Sequence, residues 1–484
     1  MTRASATTSV VLLATTPACR LSCGDGTLLD RINDQLATLP VRDVHVVSPG
    51  DGLGDGLGAD LRVVAKITRS ATGTVVLLPA DLVAHTEALA SLVEDPSRAT
   101  MALVSHDPVE GPLRPPVRDD NGVVGASGSS FHTVPEANAT FRGVLQVSEA
   151  DLATLADLAE ELADLAETGK LGPVTTVEAI DLLLVGLVRS GVRVRAIRLG
   201  SLHADRVTGQ SSAEAAIDRL AEVDETQVRL DGAIKSRDGF FATYFVSSWS
   251  RHLVRPAARL KLTPNSVTGI SVALAVLSAV WFSAGDRAGQ ICGAVLLYLS
   301  FVLDCLDGQL ARYTRTFSPL GAWADGMADR LKEYVVYVGL AFGYAAGVPS
   351  GAGGPEGIWY LAAAALLLQV VRHSIDFSYG GAVADARRVG ALWAKPARSL
   401  LEPADAARHN APRPGVLRLA QRMERESITR WVKRMIVLPI GERMALIAVT
   451  AALFNARVTF VALLGWGGVA AAYQLAGRIA RSAR

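Results

Sequence analysis

The sequence predicts an α/β domain with a mostly parallel sheet, followed by an all-α bundle of six membrane-crossing helices. Three observations predict it. The mean hydropathy of the 484 residues is +0.29, too apolar for an ordinary soluble chain of this length. Residues 1–225 hold 18 Lys+Arg against 31 Asp+Glu, whereas the other 259 hold 30 against 16, so an acidic part precedes a basic one. Strand-like runs alternate with helical periods in the acidic part, and long apolar runs fill the basic part. Because the basic half is also the hydrophobic half, its charge reads as cytoplasmic loops of a membrane protein and not as a nucleic-acid surface.

Ser9–Ala14 is expected as a buried first strand. The same stretch, running on to Cys19, has some features of a lipidated signal peptide. The charged region before it holds only Arg3, however, and Pro17 is awkward near a cleavage site. Further strands are expected at Val44–Ser48, Arg62–Ile67, Thr74–Leu78 and Met101–Ser105. Helices are expected at Asp81–Glu94, Asp151–Glu167, Val177–Ser190 and Ser212–Val223. Cys19, Cys23, Cys292 and Cys305 form no CxxC pair, which fits a reducing compartment.

Residues 226–262 are expected as a linker with an interfacial amphipathic helix, because Arg251, Arg255 and Arg259 are four apart and share a face. Six apolar cores follow within 263–484, at 266–284, 288–303, 325–347, 357–375, 436–454 and 457–476. Basic residues precede the first span, lie at Arg312 and Arg315 between spans two and three, and recur in the tail. The loop at 381–435 carries 12 Lys+Arg against 5 Asp+Glu. The positive-inside rule then predicts a multi-pass cell-membrane protein with both termini, and the acidic domain, in the cytoplasm.

The chemistry concentrates at one membrane edge. Asp304 and Asp307 are three apart near the end of span two, and Asp325 and Asp329 are four apart at the start of span three. Each pair shares a helix face, and the short connection makes the helices antiparallel neighbours. A carboxylate near hydrocarbon costs about 2.5–3.5 kcal/mol on insertion scales, and four together repel. Arg312 and Arg330 cannot balance all four, so a divalent cation is expected, with oxygen ligands favouring Mg²⁺ or Mn²⁺. Gly308 and Ala311 leave one face bare for a flat ligand. A cation transporter is a distant alternative for such a cluster.

The pattern D-x2-D-G-x2-A-R-x8-G-x3-D-x3-D, formed by Asp304, Asp307, Gly308, Ala311, Arg312, Gly321, Asp325 and Asp329, resembles the signature of the CDP-alcohol phosphatidyltransferases. Pro264-Asn265-Ser266-Val267-Thr268 is similar to that family's P-N-x-x-T segment. The resemblance covers about residues 240–480 and implies six spans, often in a homodimer set among membrane lipids. It implies that Asp304, Asp307 and Asp325 hold metal, with Asp329 sharing it and acting as general base. It implies that Gly308 and Ala311 accommodate cytidine, that Arg312 contacts phosphate or pairs with a motif carboxylate, and that Gly321, Asn265 and Thr268 lie at the substrate site. The donor would be CDP-diacylglycerol or a soluble CDP-alcohol. Among further residues, Arg372, His373, Asp376, Lys433, Arg434 and Arg443 lie near the ends of spans four and five. Arg443, embedded in apolar sequence, is the strongest of these for an acceptor such as inositol phosphate.

Residues 1–225 resemble a nucleotidyltransferase in Gly24-Asp25-Gly26-Thr27 to Asp30-Arg31 and in Pro79-Ala80-Asp81, where a metal-binding Asp would lie. Asp205 is the candidate for a second metal carboxylate. The Gly-rich phosphate loop is missing, since the first strand runs into Thr15-Thr16-Pro17-Ala18-Cys19-Arg20. A degenerate or docking domain is therefore expected. The alternative is a bifunctional enzyme that also makes a CDP-alcohol such as CDP-inositol.

Overall fold

A computed structural model describes residues 8–50, 55–106, 113–234, 239–347, 356–392 and 435–482. Most of the basic loop, with Lys433 and Arg434, lies outside these residues. The chain divides into two compact units between Val228 and Arg229.

The first unit is built on a mixed sheet. Its first strand β1 (Thr8–Leu13) is parallel to the edge strand β4 (Val41–Val47) on one side and to β5 (Val75–Pro79) on the other. Beyond β5 lie the antiparallel β10 (Ala139–Val147), then β7 (Met101–Ser105) and β11 (Arg195–Arg198), parallel to each other. All six residues of β1 are buried. Val11 and Leu13 face one core with Leu61, Val64, Leu155 and Leu183, and Val10 and Leu12 face the other with Ile32, Leu36, Leu89 and Leu92. Helices on both faces explain why the strand reads as an unbroken apolar run and not as an alternation.

Two expected elements are corrected. Arg62–Ile67 is not a strand but the middle of helix α2 (Leu57–Ser70), in which Leu57, Leu61, Val64, Ala65 and Thr68 are buried at helical spacing. Arg62 and Arg69 on the other face pair with Asp164 and Glu167, and with Asp157 and Glu160, of α4 (Leu152–Glu167). The helix expected from Asp81 starts only at α3 (Thr86–Val93), because Leu82–Ala84 forms strand β6 against β12 (Ala204–Arg206). Helix α5 (Ala179–Arg189) lies within its expected stretch, and helix α6 (Gln210–Ala221) begins two residues before its own.

The second unit is helical. A π-type turn at Ala242–Val246 leads into α8 (Ser247–Arg259), whose Val254 and Ala257 pack with Val267, Leu306 and Leu310. Thr263 caps α9 (Pro264–Ser283) by accepting from the Ser266 amide, with Pro264 pre-set for the first turn. Helix α10 (Arg287–Thr314) lies against α9 through serine hydroxyls, with Ser271 and Ser300 each donating to the other's carbonyl at 2.7 Å. Helix α11 (Pro319–Gly347) meets α9 still more closely. A Cβ added at Gly343 would fall 2.0 Å from the Phe282 carbonyl oxygen, and one at Gly339 would fall 2.3 Å from that of Ala279. Only glycine permits such backbone approach, the usual device of packed membrane helices. Helices α12 (Glu356–Leu392), α13 (Ile440–Leu453) and α14 (Ala456–Ser482) complete the unit.

Among the described residues, four helices are long and apolar enough to cross a membrane: α9, α10, and the segments Gly357–Ala382 and Ala456–Ile479. Helix α11 carries Asp325, Asp329, Arg330, Lys332 and Glu333 in its first half, and α13 has only 14 residues against the roughly 20 that a span needs. Large apolar side chains including Val280, Trp281, Val295, Phe342, Leu367 and Val461 stand exposed on these helices, as expected of surfaces that face lipid.

Candidate active site

The last turns of α10 carry Asp304 and Asp307, and the first turns of α11 carry Asp325 and Asp329. One carboxylate oxygen from each of Asp304, Asp307 and Asp325 lies within 4.8 Å of the others. Asp307 is 3% exposed and accepts a hydrogen bond of 2.5 Å from the Thr268 hydroxyl on α9. Its rotamer is thereby fixed from a third helix. Asp329 has one carboxylate oxygen, Oδ1, buried with no hydrogen-bond partner, although the Lys332 ammonium stands 3.7 Å away.

Lys332 is the residue that sequence reasoning missed. It is 3% exposed, one turn after Asp329, and its ammonium pairs with Asp304. A lysine in an apolar helix three residues past a motif aspartate was a visible signal. Lys332 is the cation that the described ion pairs set against Asp304 and Asp329. An all-oxygen donor set with an orphaned buried carboxylate oxygen fits a hard divalent cation.

The other expected residues distribute around this centre. The atoms nearest to a Cβ added at Gly308 belong to the Arg312 guanidinium, the first at 3.4 Å, so the arginine lies over that face of α10. Gly321 is held against Asn265, whose Oδ1 would lie 3.0 Å from an added Cβ, so these two site candidates are brought together. Arg312 donates from Nε to the Ala233 carbonyl. Arg330 stacks 4.8 Å from the Phe377 ring.

Arg443 has a different setting from a solvent-facing anion ligand. It is 6% exposed and grips Glu333, with Nε 3.0 Å from Oε1 and a terminal nitrogen 3.3 Å from Oε2. Glu333 also accepts from the Tyr337 hydroxyl at 2.7 Å, so this α11–α13 pair is hydrogen-bonded on several sides. Its partner lies 110 positions away in sequence, which no local pattern discloses. Arg372 donates to the carbonyls of Val437 and Leu438, while Asp376 pairs with Arg478 at 2.8 Å.

Residues 261–401 match the family model described as CDP-alcohol phosphatidyltransferase. An archaetidylinositol phosphate synthase of Pyrococcus horikoshii is 35% identical over 86 residues, which are 18% of this chain and 44% of that protein. A bifunctional IPC transferase and DIPP synthase of Rubrobacter xylanophilus is 32% identical over 153 residues, 29% of this chain and 33% of that protein. A phosphatidylinositol phosphate synthase of Mycolicibacterium smegmatis is 35% identical over 102 residues, 21% of this chain and 45% of that protein. The chain thus spans less than half the length of each of these relatives. Among solved structures, an inositol-1-phosphate CTP transferase from T. maritima aligns with 45% of this chain and 97% of its own, at 13% identity and a TM-score of 0.32.

Proposed function

We propose that this chain is a membrane-embedded CDP-alcohol phosphotransferase, which moves a phosphoalcohol group, in the first instance phosphatidyl, from a CDP-linked donor to an acceptor hydroxyl with release of CMP. The observation that carries the reading is the convergence of Asp304, Asp307 and Asp325 beside the orphaned Asp329 oxygen. Those three aspartates, with Asp329 adjoining, would hold Mg²⁺ or Mn²⁺, which when bound neutralises charge on the diphosphate and the departing CMP. Asp329 takes the proton of the acceptor hydroxyl. The acceptor oxygen bonds to the β-phosphorus of the donor as the bond from that phosphorus to the CMP oxygen breaks. Thr268 holds Asp307 in place through the 2.5 Å hydrogen bond. Gly308 and Ala311 accommodate cytidine on α10, and Asn265, Gly321 and Arg312 line the approach.

The names of two relatives, an archaetidylinositol phosphate synthase and a phosphatidylinositol phosphate synthase, support an inositol phosphate as acceptor, and transfer of a phosphatidyl group calls for CDP-diacylglycerol as donor. A relative named as bifunctional supports a soluble CDP-alcohol as the competing donor. Six spans with both termini cytoplasmic are the reading that the loop charges support. The test is CMP release by the detergent-purified protein with Mg²⁺, supplying CDP-diacylglycerol and then CDP-inositol, each against inositol 1-phosphate and glycerol 3-phosphate. Release that Asp329→Asn lowers by a factor of about 10²–10⁴ is expected. Equal release by wild type and variant would sink the assignment.

A further inference from the structure

Asp81 and Asp205 are the carboxylates of the first unit expected from sequence to hold a metal of the kind nucleotidyl transfer uses, and both are already held by arginine. Asp81 sits in the turn between β5 and β6. Its Oδ1 accepts from Arg206 Nε at 2.9 Å, and its Oδ2 accepts from another Arg206 nitrogen at 3.0 Å and from the Thr16 hydroxyl at 3.0 Å. Asp205, the residue before Arg206 on β12, is held by three more. Arg114 and Arg142 reach its Oδ1 at 2.6 and 2.7 Å, and Arg219 on α6 reaches its Oδ2 at 3.0 Å. The Arg142 and Arg206 side chains are 4% and 2% exposed.

This lattice is part of the fold. Gly143 in the middle of β10 has φ +83°, and a Cβ there would fall 3.0 Å from Arg206 Cδ and 3.3 Å from Pro79 Cγ. The strand therefore gives up a side chain to admit the arginine stem. A divalent ion at either aspartate would have to displace a buried guanidinium and then stand beside it, two like charges in a medium of low polarity.

The segment after β1 points the same way independently. It winds into a 3₁₀ turn, Pro17–Arg20, and is not an open loop of amides. Pro17 has no amide hydrogen, the Cys19 amide donates to the Thr16 carbonyl at 3.3 Å, and the Leu21 amide donates to the Ala18 carbonyl at 3.1 Å. Those donors are turned inward on the turn and cannot cradle a triphosphate.

We infer that residues 8–228 do not perform metal-dependent nucleotidyl transfer, and that Asp81 and Asp205 are arginine-held anchors joining the sheet to β12 and α6. The test uses the full chain with CTP, inositol 1-phosphate and Mg²⁺, reading pyrophosphate. The expected result is no release above the protein-free blank. CTP-dependent pyrophosphate release that survives Asp329→Asn would overturn the inference. It would leave the assignment of CMP release to the aspartate motif untouched, because that reaction starts from a preformed CDP-linked donor. The second readout is thermal. Asp81→Asn is expected to lower the melting temperature equally in Mg²⁺ and in EDTA, and a loss seen only in Mg²⁺ would make Asp81 a metal ligand and overturn the anchor role.

Discussion

The Thr268 hydroxyl on α9 donates to the Asp307 carboxylate on α10 at 2.5 Å, across 39 positions of sequence. A ligand held in this way meets a metal ion without first losing rotamer freedom. Losing such an outer partner typically costs 10–100-fold in metal affinity. Thr268→Val is therefore expected to raise the Mg²⁺ concentration for half-maximal CMP release about 10–100-fold. Thr268→Ser, which keeps the donor, is expected to stay near wild type. A Mg²⁺ titration of the three proteins checks this, and an unchanged Val variant would remove the holding role.

The Lys332 ammonium pairs with Asp304 and stands near Asp329. Removing one partner of a buried pair typically costs about 3–5 kcal/mol, because the other charge stays behind. Lys332→Met is expected to melt well below wild type in EDTA and to be raised more by Mg²⁺ than wild type is. Thermal scans with and without Mg²⁺ test this. Equal shifts in both proteins would mean that the lysine is not a counter-charge to the cluster.

Gly343 tests the helix packing. A Cβ 2.0 Å from the Phe282 carbonyl cannot be absorbed by a side-chain rotation. Gly343→Leu is expected to cost more than the roughly 1–3 kcal/mol of ordinary overpacking, with loss of a monodisperse folded peak in detergent. Gly347→Leu, where an added Cβ meets nothing within 4 Å, is the control.

Asp181 on α5 gives a pH test in the first unit. Burial lifts its carboxyl to about 7, Arg206 at 4.0 Å opposes the rise, and Glu178 and Asp81 add to it. The folded protein therefore keeps a proton that the unfolded chain releases near pH 4. Stability from this group is present below that value and falls as pH rises towards about 7. Asp181→Asn is expected to gain on wild type as pH goes from 4 to 8. Calorimetry at both ends reads the difference, and a constant offset would contradict it.

Much of this was legible in sequence because it is local. Strand β7 begins and ends where its apolar run does, and the four aspartates announce themselves by spacing and by their cost near hydrocarbon. The misread segment, Arg62–Ile67, is a β-branched run whose helical period appears only once Leu57 and Thr68 are counted with it. The turn at Asp81 was hidden because β6 is formed by a partner strand 122 positions on. Glu333 with Arg443 and Asp205 with its three arginines were illegible for the same reason, since tertiary charge pairs have no period.

The contact of Gly343 with Phe282 and Gly285 is also a fulcrum. Backbone there touches backbone, so α11 can roll on α9 but cannot slide through it. Asp329 lies fourteen residues up the same helix, about 21 Å along its axis. A tilt of about 5° at the glycines swings that carboxylate through about 2 Å, the length of a single Mg²⁺–oxygen bond. The crossing angle of α9 and α11, set at these glycines, would thus govern how near Asp329 comes to the other three aspartates.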